Sequence, residues 1–452
     1  MNGKLERFKK SVNGKHIILL GIGVSNKPLI KQLLSYGAEV TCCDKNGELE
    51  KDFLEEMKLG ARFRLGEGYL GDLDGDIIFK TPGIRSDIPE LLEAERRGII
   101  VTSEMEVFVR ICPCKLIGVT GSDGKTTTAT LIHKILSEDG NICHLGGNIG
   151  KPLLPIIESI NENDYAIVEL SSFQLMTMTQ STDVAVVTNI SPNHLDMHKS
   201  YNEYIEAKKN IFTHQNKSGI LVLNGANEIT ASFAEEAKGE VVFFGERGKG
   251  VYINDGDIYF DNKKIISVSD IILPGKHNVE NYMAAIAACG KRINPDTIKK
   301  VANTFSGVEH RIEFVREIDG VRFYNDSIAS SPTRARAGLF AFDKKVILIA
   351  GGYDKKIPFD EFGHDIKDRV KRLYLFGATA PAIKEAVIKA YDGRRYLQII
   401  TQYTTLEQVV KEAYMAAQAG DIVLLSPACA SFDMFKNFEE RGNKFKEIVK
   451  KL

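Results

Sequence analysis

The segment Gly121-Ser122-Asp123-Gly124-Lys125-Thr126-Thr127 combines two glycines, a lysine and two threonines. An apolar run, Lys115–Val119, precedes it, and a helical pattern, Ala129–Leu136, follows it. A strand, a glycine turn and a helix N-terminus in that order present backbone N–H groups to an anion. Lys125 is expected to reach the β- and γ-phosphates of a nucleotide, and the Thr126 hydroxyl is expected to lie on Mg²⁺. The segment therefore predicts that the chain handles a nucleoside triphosphate.

The spacing of this segment differs from that of the common P-loop, in which a glycine stands six positions before the lysine. Val119 occupies that position here. The shorter G-x-x-G-K-T-T form points away from the switch-type nucleotide hydrolases that share the longer loop.

Polar side chains follow two predicted strands downstream of the loop. Glu169 lies near the end of the apolar strand predicted at Tyr165–Leu170, and a carboxylate at such a position beside a phosphate loop is a usual ligand of Mg²⁺. The alternative is a solvent-facing Glu169 that caps the next helix. His194 and Asp196 follow the strand predicted at Val184–Asn189. For this histidine, a functional role and an ordinary hydrogen-bonding role are equally open.

The N-terminal region has the pattern of a βαβ unit. A strand at His16–Leu20 leads into Gly21-Ile22-Gly23, a helix is predicted near Lys27–Tyr36, and a second strand ends at Asp44. This spacing is close to that of a dinucleotide-binding fold. The third glycine position of that fingerprint holds Asn26, so another nucleotide or a sugar phosphate is favoured over NAD(P).

Strand and helix patterns alternate through the rest of the chain and predict an α/β fold with three domains. The N-terminal domain is expected to be Rossmann-like, the central one a P-loop-type domain with a mostly parallel sheet, and the C-terminal one Rossmann-like. Strands are also predicted at Asp76–Lys80, Gly219–Leu223, Val321–Tyr324, Val346–Ala350, Leu373–Phe376, Leu397–Thr401 and Asp421–Leu425, hairpins at Val241–Val268 and a helix at Asn278–Cys289.

Composition limits the function classes. The 452 residues include 59 basic and 60 acidic ones, for a net charge of -1, which argues against a nucleic-acid binder that depends on bulk charge. No signal sequence and no apolar run near the roughly 20 residues of a membrane span occur. The seven cysteines form no C-x-x-C pair, which favours reduced thiols and a cytoplasmic protein. Cys112-Pro113-Cys114 is a weak alternative as a metal clip.

Two segments near the C-terminus follow predicted strands. Ala350-Gly351-Gly352-Tyr353-Asp354-Lys355 is either a carboxylate or phosphate site or a plain surface turn. The segment Ser426–Asp433 ends the last strand. Phe432 and Phe435 are predicted to pack in the core.

These motifs together resemble those of the ATP-dependent Mur ligases of peptidoglycan synthesis, over essentially the whole chain. The C-terminal motif and the segment Leu170–Leu175 resemble those of the members that add D-glutamate. The motifs in order are Gly121–Thr127, Asn148-Ile149-Gly150, Glu169–Leu175, Asn193-His194-Leu195-Asp196, Ala207-Lys208, His277–Asn281, His310-Arg311, Asn325-Asp326-Ser327, Ser426–Asp433, Phe435–Phe438 and Arg441-Gly442.

The resemblance implies a ligase reaction. ATP would phosphorylate the alanine carboxylate of UDP-N-acetylmuramoyl-L-alanine, and the amine of D-glutamate would attack the acyl phosphate. The enzyme's work is then positioning and charge neutralisation, by Lys125 and two Mg²⁺ ions. It also implies domains at 1–103 for the UDP-linked substrate, 104–308 for ATP and catalysis, and 309–452 for the amino acid. We expect a cytoplasmic monomer that binds neither nucleic acid nor membrane.

The same resemblance assigns residues to each ligand. Lys125, Glu169, His194 and Lys208 are expected to be catalytic. Thr126 and Glu169 match ligands of the first Mg²⁺, and Glu169, His194 and Lys208 match the surroundings of the second. ATP contacts are expected at residues 121–127 and at Asn281, Arg311 and Asp326. The UDP-linked substrate is expected at Ser25, Asp44, Gly83, Asn148, Ser171 and Gln174, and D-glutamate at Lys355, Ser431 and Phe438.

The resemblance changes the interpretation of Lys208. By itself, the pair Lys208-Lys209 in a helical segment predicts a solvated face. The matching lysine of the family is carbamylated, which converts a cation into an anionic oxygen donor. The modification needs the neutral amine, so the pKa of Lys208 must lie well below about 10.4. Lys209 keeps its solvated role.

Two positions depart from the family pattern. Ile328 stands where other members have a lysine, so it is left out of the site, and Asn193 replaces an aspartate, so it is not assigned as a ligand. The nearest rival is a folylpolyglutamate synthetase, which would lack the N-terminal βαβ domain. A nucleotide-dependent regulatory switch is the rival from another class.

Overall fold

The computed structural model describes residues 3–47, 49, 53, 55, 57, 60–192, 198–245, 249–355, 357–391, 397–401 and 405–452. The chain forms two compact units. The first comprises Met1–Asp270 and Val279–Val301, and the second comprises Ile271–Asn278 and Ala302–Leu452. The predicted division into three domains stays a prediction. Within the described residues, no helix has the length and apolar content that crossing a bilayer requires.

The first unit begins with a parallel sheet in the order β3-β2-β1-β4-β5. Its strands are β1 (His16–Leu20), β2 (Glu39–Asp44), β3 (Ala61–Leu65), β4 (Ile77–Lys80) and β5 (Ile100–Thr102). Its helices are α1 (Gly3–Val12), α2 (Leu29–Ser35), α3 (Pro89–Arg96) and α4 (Glu104–Ile111). The strand order reverses between β1 and β4, and ligands of such sheets bind at this point, outside the carboxyl ends of the strands.

The first unit also contains a larger sheet in the order β14-β13-β12-β11-β10-β9-β6-β8-β7. It is parallel from β12 to β7 and ends in the antiparallel β12-β13-β14. The strands are β6 (Lys115–Thr120), β7 (Cys143–Gly147), β8 (Tyr165–Glu169), β9 (Val184–Val187), β10 (Ile220–Asn224), β11 (Glu240–Phe244), β12 (Val251–Asn254), β13 (Asp257–Phe260) and β14 (Lys263–Ser267). Because β6 lies between β8 and β9, the loop that follows it has a strand end on each side.

Helices cover this larger sheet and connect its strands. They are α5 (Lys125–Glu138), α6 (Ser172–Leu175), α7 (Tyr201–Lys209) and α8 (Glu228–Ser232), with 3-10 turns at Leu154–Ser159, Phe233–Glu236 and Val268–Asp270. The helices α9 (Lys276–Cys289) and α10 (Pro295–Thr304) follow in the chain.

The second unit contains a sheet in the order β15-β16-β20-β17-β18-β19, antiparallel only between β15 and β16. Its strands are β15 (Glu313–Ile318), β16 (Val321–Asn325), β17 (Val346–Ala350), β18 (Val370–Leu375), β19 (Gln398–Ile400) and β20 (Ile422–Leu425). Its helices are α11 (Pro332–Phe340), α12 (Asp360–Arg369), α13 (Ala380–Ala390), α14 (Leu406–Met415) and α15 (Phe438–Lys451).

The predicted α/β class with mostly parallel sheets is confirmed. The strands predicted at His16–Leu20 and Val346–Ala350 have the predicted bounds, because continuous apolar runs are typical of strands buried on both faces. The helix α1 was not predicted, since its sequence is mostly polar and it buries only Leu5, Phe8 and Val12.

The core-packing prediction is right for one phenylalanine and wrong for the other. Phe435 packs against the apolar cluster beside β20. Phe432 is 62% exposed and contacts Tyr353 edge to face, at 5.8 Å between ring centroids. Phe432 stands in the irregular segment after β20, where helical spacing does not apply.

Arg441 of α15 hydrogen-bonds to backbone carbonyls of two segments that follow strands of the second unit's sheet. Its side chain is fully buried, and it donates to the carbonyls of Ser327 at 2.8 Å, Cys429 at 3.1 Å and Ala430 at 3.1 Å. Its Nε also donates to Ser327 Oγ at 3.0 Å. Burial lowers the pKa of Arg441 to about 10, so the guanidinium remains charged at neutral pH.

Replacing this arginine tests its structural role. Arg441→Met should destabilise the protein by about 3 kcal/mol or more, because buried carbonyls lose their donor. Urea denaturation followed by circular dichroism measures the loss. The matched control is Arg334→Met on the exposed face of α11, which should change little. An Arg441→Met protein as stable as the control would contradict the role.

Candidate nucleotide and metal site

The phosphate loop joins β6 to α5, and its shape requires two glycines. Gly121 has φ +146°, and a Cβ there would overlap Thr188 Oγ1. Gly124 has φ +78° and stands at the N-cap of α5, where a Cβ would overlap Asn281 Oδ1. Only glycine adopts these conformations without strain. The loop therefore turns tightly and exposes the N-terminus of α5.

Neighbouring strand ends hold the loop in place. Ser122 N donates to Asn189 O at 2.9 Å, and Asp123 N donates to Asn189 Oδ1 at 3.0 Å. Ser122 Oγ lies 2.8 Å from the hydroxyl of Tyr204 on α7. Lys125 Nζ donates to the carbonyls of Gly121 at 2.9 Å and Ser122 at 2.7 Å. The lysine thus folds back over the loop, which places its positive charge where a phosphate would lie.

Thr126 and Glu169 are brought together at the start of α5. Glu169 ends β8, is 2% exposed, and pairs in register with Val119 of β6. Its Oε2 accepts from Thr126 Oγ1 at 2.7 Å, and its Oε1 accepts from Asn148 Nδ2 at 2.8 Å. The alternative of a solvent-facing Glu169 is therefore wrong. A hydroxyl and a carboxylate oxygen side by side are donors that suit Mg²⁺.

Lys208, in the last turn of α7, is buried against the same loop. It is 2% exposed, and its Nζ donates to Gly121 O at 2.8 Å and to Thr120 Oγ1 at 3.3 Å. Burial and the charge of Lys125 lower the pKa of Lys208 well below its usual value, against the opposite effect of Glu169 and Asp123. A solvated role for Lys208 is wrong, and its amine has the environment that favours the neutral form.

Lys209 has the opposite surroundings. Its Nζ lies 2.6 Å from a carboxylate oxygen of Glu236 and 3.0 Å from one of Glu206. Burial lowers the pKa of Lys209, but the hydrogen bonds to Glu236 and Glu206 outweigh burial and raise it overall. The pKa values of these two adjacent lysines are therefore shifted in opposite directions, because Lys208 is buried beside Lys125 whereas Lys209 has two carboxylate partners.

His194, Asn193 and Asp196 lie outside the described residues. Among the described residues, no group of three or more histidine, cysteine or carboxylate side chains is arranged to hold a metal. The sulfur atoms of Cys112 and Cys114, the pair considered above as a metal clip, lie 3.6 Å apart.

Asn281, the first of the predicted adenosine contacts, lies beside the loop. It stands on α9, is 6% exposed, and accepts from Thr128 Oγ1 at 3.3 Å. Asn281 therefore lies beside Gly124 at the start of α5.

The residues predicted to contact the UDP-linked substrate form two groups, and each group lies at the ends of strands of one sheet. Ser25 and Gly83 follow β1 and β4, and Asp44 is the last residue of β2. Asp44 Oδ2 accepts from Ile22 N at 2.5 Å. Asn26 is fully buried and donates to Gly21 O at 3.0 Å and Phe79 O at 3.1 Å. Asn26 thus ties the glycine turn to β4, which explains why this position is not a glycine.

The second group follows β7 and β8. Ser171 and Gln174 form a reciprocal cap on α6: Ser171 N donates to Gln174 Oε1 at 2.9 Å, and Gln174 N donates to Ser171 Oγ at 3.3 Å. Asn148 is exposed and bonded to Glu169.

The remaining predicted residues lie in the second unit. Arg311 is exposed, and Asp326 is buried, with its carboxylate accepting from Ser426 Oγ at 2.7 Å. Burial raises the pKa of Asp326 to about 7. His310, beside Arg311, has φ +63° and is buried.

The predicted D-glutamate contacts differ in exposure. Lys355 is exposed and Phe438 is half-buried at the start of α15. Ser431 is 1% exposed, and within the described part of the chain its hydroxyl has no hydrogen-bond partner.

Sequence reasoning missed the residues that support the site. His198 Nε2 lies 2.9 Å from Ser172 Oγ, and Tyr204 contacts both Ser122 and Lys208. His198 and Ser172 stand inside or beside the motifs already named. Their polar side chains at these positions were the signal that could have identified them as part of the site. Tyr204 looks like an ordinary apolar position of a helix.

Known proteins that are similar to this chain align with its whole length. Residues 119–289 match the model of the Mur ligase middle domain, and residues 310–429 match that of the Mur ligase glutamate ligase domain. Two relatives called UDP-N-acetylmuramoylalanine--D-glutamate ligase, from Acetivibrio thermocellus and Clostridium perfringens, are 55% and 50% identical to this chain. Each alignment covers 100% of this chain and 100% of the relative.

Solved structures support the fold. The UDP-N-acetylmuramate-alanine ligase of Thermotoga maritima aligns with a TM-score of 0.59 and 17% identity, over 97% of this chain and 99% of that one. The UDP-N-acetylmuramoylalanyl-D-glutamyl-2,6-diaminopimelate--D-alanyl-D-alanyl ligase of Acinetobacter baumannii aligns with a TM-score of 0.55 and 18% identity, over 98% of this chain and 92% of that one.

A pair of glycine variants tests the loop geometry. Gly124→Ala should weaken ATP binding about tenfold or more, because the new methyl group displaces Asn281 and the positive φ strains the loop. Gly140→Ala is the control: it has φ +90° with nothing within 4 Å of the added Cβ, so it shares the strain without the displacement. Calorimetric titration with ATP measures both. Equal ATP affinities in the two variants would contradict the argument.

Proposed function

The chain belongs to the Mur ligase family, and we propose that it forms the amide bond between UDP-N-acetylmuramoyl-L-alanine and D-glutamate with cleavage of ATP. The proposal is supported by full-length relatives of that name at 50% identity and above. The observation that carries the chemistry is the convergence on one phosphate loop of Lys125, the Thr126–Glu169 pair and the buried Lys208. The product is a cytoplasmic precursor of peptidoglycan.

The first step joins two anions. An oxygen of the alanine carboxylate attacks the γ-phosphorus of ATP, the bond to the β-phosphate oxygen breaks, and ADP leaves. Repulsion between the carboxylate and the phosphate opposes this approach, so the site must supply positive charge. Lys125 supplies it from the loop, together with the backbone N–H groups at the N-terminus of α5. Asn281, Arg311 and Asp326 are proposed to hold the adenosine part.

The second step forms the amide. The neutral amine of D-glutamate attacks the carbonyl carbon of the acyl phosphate, giving a tetrahedral intermediate that expels phosphate as the nitrogen loses a proton. We propose that Lys355, Ser431 and Phe438 hold D-glutamate, with the lysine paired to a carboxylate. The hydroxyl of buried Ser431, which has no hydrogen-bond partner among the described residues, suits a ligand contact there. Ser25, Asp44, Gly83, Asn148, Ser171 and Gln174 are proposed to hold the UDP-linked substrate.

Two magnesium ions fit the donors around the loop. We propose Thr126 and Glu169 as ligands of the first, and Glu169, His194 and Lys208 as the residues around the second. Bound Mg²⁺ would supply charge neutralisation and orientation of the phosphate oxygens. The Thr126–Glu169 pair already places hard oxygen donors together, which is the chemical character such an ion needs.

Lys208 fits this role only after modification. An ammonium repels a metal ion, whereas a carbamate presents anionic oxygens. The neutral amine attacks CO₂, a C–N bond forms, and one proton leaves. Burial and the charge of Lys125 lower the pKa of Lys208, which favours the neutral amine that this reaction needs. We therefore propose that Lys208 is carbamylated in the active enzyme, which we expect to be monomeric.

A coupled phosphate-release assay tests the function. With ATP and Mg²⁺, phosphate should appear only when UDP-N-acetylmuramoyl-L-alanine and D-glutamate are both present, because the acyl phosphate needs both an acceptor and a nucleophile. L-Glutamate is the control and should give little release. Equal phosphate release with ATP alone would contradict the ligase proposal and favour a regulatory switch.

The adjacent lysines provide a matched test of the carbamate. Lys208→Ala should lower kcat by about a hundredfold or more, because the site loses an anionic donor beside the transferring phosphoryl group. Added acetate or another short carboxylate should restore part of that activity. Lys209→Ala should keep near wild-type kcat with no response to carboxylates. An active Lys208→Ala enzyme would rule out the carbamate.

A further inference from the structure

The loop after β4 is fixed to α7 by an arginine. Arg85 stands two residues after Gly83, at the edge proposed for the UDP-linked substrate. Its Nε and Nη2 donate to the two carboxylate oxygens of Asp87 at 2.8 and 3.0 Å. Its Nη2 also donates to Glu203 Oε1 at 3.1 Å. Because the Asp87 fork orients the guanidinium, the arginine reaches Glu203 in one defined geometry.

Glu203 stands in the first turn of α7 and is held from several sides. Its Oε2 accepts from Lys199 N at 2.7 Å, and its own N–H donates to the N-cap Ser200 Oγ at 3.1 Å. Arg85 lowers the pKa of Glu203 despite partial burial, so the carboxylate is ionised at neutral pH. The side chains of Arg85 and Glu203 are 21% and 26% exposed, which shields the pair from solvent more than an ordinary surface ion pair.

Two further residues of α7 contact the phosphate loop: Tyr204, which directly follows Glu203, and Lys208 in the last turn. Tyr204 places its hydroxyl 2.8 Å from Ser122 Oγ and its ring 4.7 Å from Lys208 Nζ. Lys208 itself bonds to Gly121 O. The helix rises only about 12 Å from its first to its last residue, so Glu203, Tyr204 and Lys208 all lie on one short element.

A histidine lies between the same carboxylate and the α6 motif. His198 Nδ1 lies 3.4 Å from Glu203 Oε2, and its Nε2 lies 2.9 Å from Ser172 Oγ. The imidazole stacks on Phe173 at 5.1 Å between ring centroids. Ser172 adjoins Ser171, a proposed contact of the muramoyl-alanine part.

We propose that Glu203 is a positioning residue that couples the loop for the UDP-linked substrate to the phosphate loop and to Lys208. Its carboxylate meets Arg85 from the substrate loop and lies beside His198 of the α6 motif, while its helix holds Lys208 against Gly121. A UDP-linked substrate that orders the loop after β4 thereby fixes α7 and aligns Lys208 for the ATP site. The inference rests on the proposed function, since it uses both ligand assignments.

A double-mutant cycle tests the coupling. Glu203→Gln keeps the size of the side chain and an acceptor for Lys199 N, but it removes the charge that binds Arg85. Arg85→Gln removes the other partner. Arg62→Gln is the control, because Arg62 on β3 pairs with Glu39 at 3.5 Å and both side chains are exposed. For each variant we would measure kcat, KM for each substrate, the melting temperature, and the affinity for the UDP-linked substrate with and without a non-hydrolysable ATP analogue.

The wild-type enzyme should bind the UDP-linked substrate about fivefold or more differently when the ATP analogue is present, a size typical of coupled sites. Glu203→Gln and Arg85→Gln should each bring that ratio close to one and lower kcat/KM for the UDP-linked substrate. The double variant should be no worse than either single one, and KM for D-glutamate and the melting temperature should hardly change.

Several results would overturn the coupling. They are a wild-type ratio of one, a ratio that survives in both single variants, or effects that add in the double variant. A loss confined to the melting temperature would show that the pair only stabilises the fold. If Glu203→Gln does not fold, Arg85→Gln alone decides the matter. A wild-type enzyme that makes no product from D-glutamate would instead defeat the proposed function, and the coupling with it.

Discussion

The burial of Lys208 against the phosphate loop is the interaction on which the rest of the site depends. Two lysine side chains, Lys125 and Lys208, converge on the carbonyl of Gly121. Burial first, and then the positive charge of Lys125, lower the pKa of Lys208. The same environment that makes an ammonium costly makes a neutral, modifiable amine available.

Glu169 is the counterpart of these lysines. It is buried at the end of β8, and its two oxygens are used by Thr126 and Asn148. The parallel pairing of β6 with β8 places this carboxylate beside the loop. The carboxylate at the end of β8, the hydroxyl and one amine at the start of α5, and a second amine in the last turn of α7 provide both signs of charge. A phosphoryl transfer between anions requires both. The glycines of the loop matter because a side chain at either would occupy the space of Thr188 or Asn281.

The sequence allowed much of this to be predicted. Apolar runs such as Val346–Ala350 located the buried strands because parallel strands covered on both faces have little polar character. The loop motif, Glu169 and Lys208 were identified from residue type and family resemblance. Short or mixed elements such as α1 and β15 were missed because their patterns are weak. Phe432 was misplaced because periodicity does not extend into the irregular segment after β20.

The sequence alone determined the fold class, the family and the identity of the residues that surround the loop, because strand periodicity and long motifs are local properties. Tertiary structure decided that the pKa of Lys208 is lowered and that of Lys209 is raised, since these adjacent residues differ in their partners and burial. It also decided that Asn26 is a structural tie and that Glu203 meets Arg85. These contacts join segments far apart in the chain, and only the folded packing fixes their distances.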